Sequence, residues 1–264
     1  MTLLETIHRG RRPMPPRVVL YGTEGVGKST FGAGAPAPIF IQTEDGLGEI
    51  DCHAFPVART LADVKSGLEA LYTEPHEYQA VVLDSLDWLE RLIWEEVCRA
   101  FGVRSIEKVD GGYGKGYTHA LTYWREVIEG LDALRGDRGM VVICIAHARV
   151  EKFEDPESTA YDRYSPRLHK HAGALITEWA DAVLFATRRF RTETEEAGFN
   201  RTRTIAAPVG ADGGERIIRT VGGPACVAKN RYGLPAELPL SWNALVAAIT
   251  APAATSTEGA PANG

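Results

Sequence analysis

Residues 17–29 read RVVLYGTEGVGKS, an apolar run that leads directly into a glycine-rich loop ending in lysine and serine. Residues 22–29 fit the pattern G-x-x-x-x-G-K-[ST] at every position. In such a loop the backbone N–H groups converge on a phosphate, and the positive N-terminal end of the following helix adds to the attraction. The glycines permit the tight bend and the close approach of the phosphates. The order of strand, loop and helix therefore predicts an α/β fold that binds a nucleotide.

The same loop predicts where a nucleotide would be held. We expect the Lys28 ammonium to reach the β- and γ-phosphates and the Ser29 hydroxyl to complete a Mg²⁺ shell. The expected ligands are therefore ATP and Mg²⁺. The predicted nucleotide-binding residues form one continuous segment: Gly22, Thr23, Glu24, Gly25, Val26, Gly27, Lys28, Ser29 and Thr30.

The composition is that of a soluble globular protein. A chain of 264 residues with 44% hydrophobic residues suits one large α/β domain or two small ones. No apolar run approaches the ~18 residues of a membrane span, and the N-terminus lacks the apolar core of a signal peptide. We therefore expect a cytoplasmic protein with no membrane partner. The net charge of −6 gives no general attraction for nucleic acid, so such binding would need a local basic surface.

The chain divides into three predicted segments: a flexible arm over 1–16, an ATPase domain over 17–249 and a disordered tail over 250–264. Within the domain, short apolar runs alternate with longer helical stretches. This alternation predicts an α/β fold with a mainly parallel central sheet flanked by helices. The predicted strands are 18–22, 39–42, 80–84, 141–146 and 182–187, and the predicted helices are 28–32, 60–72, 86–101, 117–134 and 172–180.

The pattern changes near the C-terminal end. Residues 190–205 are polar and alternating, residues 210–214 are typical of a turn, and residues 216–221 and 225–228 are typical of strands. We interpret this part as an antiparallel extension of the same sheet, and we expect a closing helix over 240–249.

Polar residues follow three of the predicted strands. Asp84 ends an apolar strand downstream of the P-loop, where a carboxylate holds Mg²⁺ through water, so Ser29 and Asp84 are the predicted metal residues. Glu44 stands just past the predicted strand 39–42, which follows the P-loop helix and ends at the sheet edge that borders the nucleotide, and it is the predicted base for hydrolysis. Asp45 is its rival, and a solvated loop is the alternative for both. His147 ends a third strand, either beside the γ-phosphate or as a purely structural histidine.

Further segments follow in a recognisable order at residues 113–117, 161–164, 168–170, 179–181 and 229–233. Over roughly residues 15–245 the chain resembles RecA-type P-loop ATPases, and more closely the short phage-encoded RecA-like proteins (phage AAA-type ATP-binding proteins) grouped with single-strand annealing recombinases. The resemblance implies a RecA-like fold, with Glu44 as the catalytic glutamate and Asp84 as the Mg²⁺-associated aspartate. His147 stands where RecA carries a glutamine that couples nucleotide state to DNA contact.

The resemblance also implies two mobile DNA-binding loops, at residues 102–116 and 148–171. The second is longer than is usual in a compact domain, and its basic and aromatic side chains suit phosphates and unpaired bases. Glu154, Asp155 and Glu157 dilute its charge, and the alternative is a pair of active-site lids that never touch nucleic acid. The predicted DNA-binding residues are Lys115, Tyr117, Arg149, Lys152, Arg163, Arg167 and Lys170.

Two cations, Lys229 and Arg231, follow a predicted strand near the end of the domain. In RecA-like and helicase-like assemblies the similar segment reaches the γ-phosphate of a neighbouring subunit, where positive charge stabilises the transition state. The resemblance thus implies a homo-oligomer, ring or filament, with ATP at the subunit interfaces. A surface turn with solvated charges is the alternative.

The leading functional hypothesis is a DNA-stimulated ATPase of phage-type recombination, which binds single-stranded DNA and promotes annealing or strand exchange. Its expected partners are single-stranded DNA, further copies of itself and a single-strand-binding protein, in the cytoplasm of a bacterial host if it is phage-encoded. Three alternatives stay open: a helicase or helicase loader, a small-molecule kinase, and a regulatory module in which ATP only sets conformation.

Overall fold

A computed structural model of the chain describes residues 3–7, 9–10, 13–154, 159–196, 202–210 and 213–251. The strands β1 to β12 are, in chain order, Arg17–Gly22, Pro38–Gln42, His53–Ala54, Ala80–Asp84, Val141–Phe153, Tyr161–Pro166, Ala182–Arg188, Phe190–Glu196, Thr202–Pro208, Arg216–Arg219, Lys229–Asn230 and Glu237–Pro239. The helices α1 to α6 are Lys28–Ala33, Leu61–Thr73, Leu86–Ala100, Lys115–Asp137, Lys170–Trp179 and Trp242–Thr250. Short 3₁₀ helices cover Leu3–Thr6 and Ile106–Gly111.

The central sheet is mainly parallel, as predicted, and its strands run in the order β12-β10-β7-β1-β5-β4-β2-β3. β1 lies between β7 and β5, with Gly22 opposite both Ala186 and His147. Asp84 lies opposite Gln42 of β2, so the carboxyl ends of these parallel strands meet at one edge. The P-loop leaves β1 at that edge, which is therefore where the site is assembled. β10 and β12 add antiparallel strands on the far side of β7, which confirms the predicted extension.

Both faces of the sheet are covered, because its central strands are continuously apolar over most of their length. On one face Val19 and Tyr21 of β1 pack with α2, α3, α4 and α5, whose largest buried side chain is Trp124. On the other face Val18 and Leu20 pack against α1 and α6. Each fully buried large apolar side chain contributes roughly 1.5–3 kcal/mol relative to an exposed one. The alternation along β1 thus fixes α1, and with it the P-loop, on the α6 face.

Two glycines of the P-loop are required by its packing. A Cβ atom at Gly22 would collide with the carbonyl oxygen of Ala186 on β7. Gly27 adopts a φ of +105°, a left-handed conformation that L side chains rarely take, and a Cβ there would lie 3.1 Å from the Arg216 guanidinium. Glycine at both positions lets the loop close against its neighbours.

The prediction of a long mobile loop over 148–171 is wrong. β5 continues to Phe153 and pairs antiparallel with β6, and α5 begins at Lys170. The hairpin forms because its charged side chains pair across the strands: Arg163 bonds to Glu151 at 3.1 Å, and its guanidinium lies 3.9 Å from the centre of the Phe153 ring. The charges that favoured a DNA-binding loop thus hold a hairpin together, although Asp155 and Glu157 lie outside the described residues.

Three other expectations need correction or fall outside the description. β8 and β9 pair with each other in a separate two-stranded sheet, so neither of these two strands extends the central sheet by hydrogen bonds. The strand predicted over 225–228 begins instead at Lys229. Some predicted segments lie partly outside the described residues: residues 211–212 of the turn, 252–264 of the tail, and 1–2, 8 and 11–12 of the arm. Within the described part of the chain, no helix combines the length and the apolarity needed to cross a bilayer.

Candidate nucleotide site

The P-loop curls around the end of the Lys28 side chain. The Lys28 ammonium donates to the carbonyl oxygens of Gly22 at 3.2 Å and Thr23 at 3.0 Å. Burial lowers the pKa of this ammonium, while the nearby Asp84 carboxylate opposes the shift. α1 begins directly at Lys28, so the first N–H groups of the helix have no partner within it. A buried cation and free N–H groups in one loop are the components of a phosphate site.

A hydroxyl and a carboxylate lie together beside this loop. The Ser29 hydroxyl donates to the Asp84 carboxylate at 2.6 Å, and Asp84 is buried at the end of β4. Burial raises the pKa of Asp84, and the hydrogen bond from Ser29 partly offsets the increase. Within the described ranges, the chain gathers no cluster of three or more His, Cys, Asp or Glu residues fit for a metal. One carboxylate and one hydroxyl fit Mg²⁺, which keeps several waters and binds the phosphates of its substrate.

Glu44 and His147 lie in the same pocket, which has a volume of about 370 Å³ and is also lined by Lys28, Ser29 and Asp84. The His147 Nδ1 atom is 3.9 Å from the nearer Glu44 carboxylate oxygen. The structure therefore brings together the predicted lysine, serine, base, metal aspartate and switch histidine. The rival Asp45 is exposed and does not line the pocket, which favours Glu44 as the base.

Asp87 joins this pocket to the hairpin, although the residue pattern predicted only that it lies near the start of a helix. Its carboxylate accepts hydrogen bonds from the backbone N–H of His147 at 3.0 Å and from its Nδ1 at 3.1 Å. It also accepts from Arg167 at 2.6 Å, while another Arg167 nitrogen is 3.9 Å from Glu24 of the P-loop. Burial would raise the pKa of Asp87, but the hydrogen bonds from His147 and Arg167 overcome it and hold the pKa well below its usual range. Arg167, a predicted DNA-binding residue, thus lies against the nucleotide site.

The remaining predicted DNA-binding residues lie in two places. On α4, Lys115 forms an ion pair with Asp110 at 3.4 Å, and the Tyr117 ring stacks on His169 with the ring centres 4.0 Å apart. The others lie around an open groove of about 660 Å³ between the hairpin and α5: Arg149, Lys152, Arg163 and Lys170. Lys229, one of the two cations that follow the predicted C-terminal strand, lines the same groove. Neighbouring carboxylates of the hairpin pair with three of these cations, as in the Arg149–Glu151 contact at 3.1 Å.

Lys229 and Arg231 lie away from this chain's own P-loop. Lys229 pairs with Val183 near the start of β7, at the amino edge of the parallel strands. Its ammonium donates to the carbonyl oxygens of Thr177 at 2.8 Å and Glu178 at 2.9 Å, at the C-terminal end of α5, where a cation is favoured. Arg231 contacts Asp181 at 3.4 Å. Neither cation lines the nucleotide pocket of the same chain.

Three residues contribute to the site although no sequence pattern predicted that they would: Asp87, Arg167 and Arg216. Asp87 stands three residues after Asp84 in the first turn of α3, and this proximity to a strand end was the one available indication. Arg216 lines the pocket from β10, far from the P-loop in sequence. Such a residue can be found only when the sheet order is known.

Comparisons with known proteins agree with this geometry. A family model described as an AAA domain matches residues 14–232. The SPbeta prophage-derived uncharacterized protein YorG of Bacillus subtilis (strain 168) is 24% identical over 172 residues, which cover 64% of this chain and 49% of that protein. The chain therefore spans about half the length of this curated relative.

Proposed function

The chain belongs to the AAA-domain family, whose model covers residues 14–232, and on that premise we propose that it is a Mg²⁺-dependent ATP hydrolase stimulated by single-stranded DNA. One observation carries the hydrolase part of the proposal. The P-loop lysine, the Ser29–Asp84 pair, Glu44 and His147 all line one pocket at the carboxyl edge of the sheet. This is the edge where open α/β sheets bind their ligands.

The residues divide the chemistry among them. Lys28 and the N–H groups of the loop hold the phosphate chain, and Glu44 accepts a proton from the attacking water. Ser29 and Asp84 would hold Mg²⁺, which supplies charge neutralisation at the phosphates when bound. The His147 Nδ1 atom lies 3.1 Å from the buried Asp87 carboxylate and 3.9 Å from the proposed base Glu44, so Asp87 holds the imidazole next to that base.

Single-stranded DNA is proposed as the partner on the basis of the groove between the hairpin and α5. Its cations include Lys170, which makes no ion pair or hydrogen bond through its side chain within the described residues. Positive grooves of this kind follow a nucleic-acid backbone. The groove also adjoins the nucleotide site through Arg167, which follows β6 and bonds to Asp87. DNA in the groove and ATP in the pocket would therefore act on the two ends of one hairpin.

The biological setting is proposed from the relatives. The similar Bacillus subtilis protein is named as prophage-derived, and the chain resembles phage annealing recombinases, so we propose a role in phage DNA recombination by annealing or strand exchange. The proposal also includes assembly of several copies, in which Lys229 and Arg231 contact the γ-phosphate in the site of a neighbouring subunit. A single-strand-binding protein is the further proposed partner.

The decisive experiment measures ATP turnover with and without single-stranded DNA across a salt series. We expect stimulation that fades as salt rises, because phosphate contacts release counterions. Glu44→Gln should reduce turnover by about 100-fold or more while retaining nucleotide binding, and Asp45→Asn serves as the neighbouring control. Lys170→Ala should raise the DNA concentration needed for half-maximal stimulation, whereas Lys65→Ala, outside the groove, should not. If the rate of ATP turnover at low salt were the same with and without DNA, the DNA part of the proposal would be wrong, while the hydrolase part would be unaffected.

A further inference from the structure

A second, smaller cleft adjoins the phosphate pocket on the β10 side of the P-loop. It has a volume of about 190 Å³ and lies between α1 and the start of α6. Its walls include Phe31, Leu240 and Trp242, with the Phe31 and Trp242 rings packed edge to face at 5.7 Å between centres. Asn243 stands exposed in the first turn of α6, and its side-chain amide makes no hydrogen bond to any other described residue. The cleft thus combines an apolar wall with one free donor and acceptor pair.

Arg216 connects this cleft with the phosphate pocket. It lines both, as do Gly27 and Thr30. One guanidinium nitrogen lies 3.1 Å from the position that a Cβ atom on Gly27 would occupy. Across the ranges that the structure describes, this guanidinium has neither an ion pair nor a hydrogen-bond acceptor. A guanidinium presents five N–H donors that match phosphate oxygens, so an unpaired one over a P-loop indicates a place for an anion.

The direction of a bound nucleotide follows from where the reacting groups lie. Glu44, Asp84 and His147 come from β2, β4 and β5, which all lie on one side of β1 in the sheet. The terminal phosphate must lie on that side to be hydrolysed by Glu44. The end of the triphosphate that carries the ribose then leaves the loop past Thr30 and Arg216, toward β10 and the cleft.

We propose that the base and ribose of a nucleoside triphosphate bind in this cleft, with Arg216 on the phosphates nearest the ribose. The inference rests on the proposed function, since it assumes that the P-loop holds a triphosphate. The base packs against Leu240 and the wall behind it, and the Asn243 amide bonds to its edge. Recognition of the nucleoside is thereby separated from recognition of the phosphates, which belongs to Lys28 and the loop.

The test compares two probes, Mg-ATP and Mg-tripolyphosphate, by calorimetric titration of the full chain. Asn243→Ala should weaken ATP binding by about fivefold through the loss of one hydrogen bond and leave tripolyphosphate within about twofold. Asn243→Trp, which fills the cleft without changing charge, should weaken ATP binding by more than about tenfold, again sparing tripolyphosphate. Arg216→Ala should weaken both probes. Thr250→Ala at the far end of α6 and Arg125→Ala on α4 are the matched controls.

Two results would overturn the inference, and they are distinguishable. If the wild-type chain binds ATP and Lys28→Ala abolishes that binding, but both Asn243 variants bind ATP as the wild type does, the nucleoside lies elsewhere and the proposed function survives. If the wild-type chain binds neither probe, the proposed function and the inference fail together. Selective loss of ATP binding in the Asn243 variants, with unchanged thermal unfolding, supports the cleft.

Discussion

Asp87 is the residue on which the nucleotide pocket and the hairpin both depend. Because its ionised carboxylate can only accept hydrogen bonds and lies 3.1 Å from the His147 Nδ1, that nitrogen carries a proton and Asp87 fixes the position of the ring. The same carboxylate neutralises Arg167, whose remaining nitrogen approaches Glu24. Asp87 touches none of the predicted phosphate ligands. It is therefore a positioning residue for His147 and Arg167.

Asp87→Asn should separate positioning from binding. We expect kcat for ATP hydrolysis to fall by about tenfold or more while KM changes by less than about threefold, because the amide holds His147 and Arg167 less firmly but leaves the P-loop intact. Lost charge-assisted hydrogen bonds should cost about 1–3 kcal/mol of folding stability. Steady-state kinetics and thermal unfolding check both expectations.

Asp63→Asn provides the matched control for that experiment. Asp63 caps α2 by accepting from the Thr60 backbone N–H at 2.8 Å, far from the pocket, so its change lowers stability without touching His147. If Asp63→Asn reduced kcat as much as Asp87→Asn at an equal loss of unfolding temperature, the effect would be one of stability and the positioning role would be wrong.

At the residue scale, the sequence predicted which side chains lie together wherever a polar residue stands at or just after a strand end. Asp84, Glu44 and His147 could each be placed in one pocket because parallel strands deliver their carboxyl ends to one edge, and their catalytic roles stay predictions. Asp87 could not, since its role depends on Arg167, a partner 80 residues away in the chain. The partner of a buried charge is set by the packing of α3 against the hairpin, which residue patterns do not reveal.

Among the elements, the β5–β6 hairpin differs most from its prediction. Its alternating charges are typical of solvated loops, yet cross-strand pairs such as Glu151–Arg163 order them. The buried Tyr21 of β1 adds a second anchor, because its hydroxyl lies 3.1 Å from the Tyr164 carbonyl oxygen and 2.6 Å from that of Val227. The strand that leads into the P-loop thus also holds the hairpin. By contrast, the five central strands were predictable because continuous apolar runs allow few other structures.

Glu90 links α3 to α5 and gives a prediction at the scale of elements. Both of its oxygens accept from the His169 backbone N–H, at 3.0 and 2.9 Å, at the N-terminus of α5. Burial raises its pKa to about 7, with Asp87 adding to the increase and Arg149 opposing it. The folded state therefore binds the Glu90 proton more tightly than the unfolded state does. The resulting stability is present below about pH 4.5 and is lost as the pH rises toward 7.

Glu90→Gln keeps an acceptor for His169 and removes the titration. We expect the unfolding temperature of the variant relative to the wild type to increase between pH 5 and pH 8, by an amount equivalent to up to about 3 kcal/mol. Calorimetry at several pH values measures this difference. Glu95→Gln on the exposed side of the same helix is the matched control. A difference for Glu90→Gln that stays constant between pH 5 and pH 8 would mean that the Glu90 carboxyl does not titrate in this range.

On the scale of the whole molecule, two charged features lie at opposite edges of one sheet. The P-loop follows Gly22 at the carboxyl edge, whereas Lys229 is in register with Val183 near the amino end of β7. Within one subunit, the sheet itself keeps these two edges apart. If Lys229 and Arg231 act on a γ-phosphate, as proposed, that phosphate belongs to a neighbouring copy, so activity must depend on assembly.

Mixing two inactive variants tests that dependence. Lys28→Ala lacks the phosphate-binding lysine, and Arg231→Ala lacks one of the cations proposed to act on a neighbour's γ-phosphate. An interface that joins the P-loop of an Arg231→Ala subunit to the cations of a Lys28→Ala subunit is nevertheless a complete site. In an equal mixture roughly a quarter of the interfaces combine them, so we expect about that fraction of wild-type ATP turnover. Arg231→Ala should still fold, because Arg231 is half exposed and the buried Asp181 keeps its ion pairs with Arg17 and Arg135. Lys28→Ala mixed with Glu44→Gln is the control, since both defects lie in the same subunit's pocket and cannot complement. Turnover that stays at the level of this control at every mixing ratio would show that the two cations serve only α5 of their own chain.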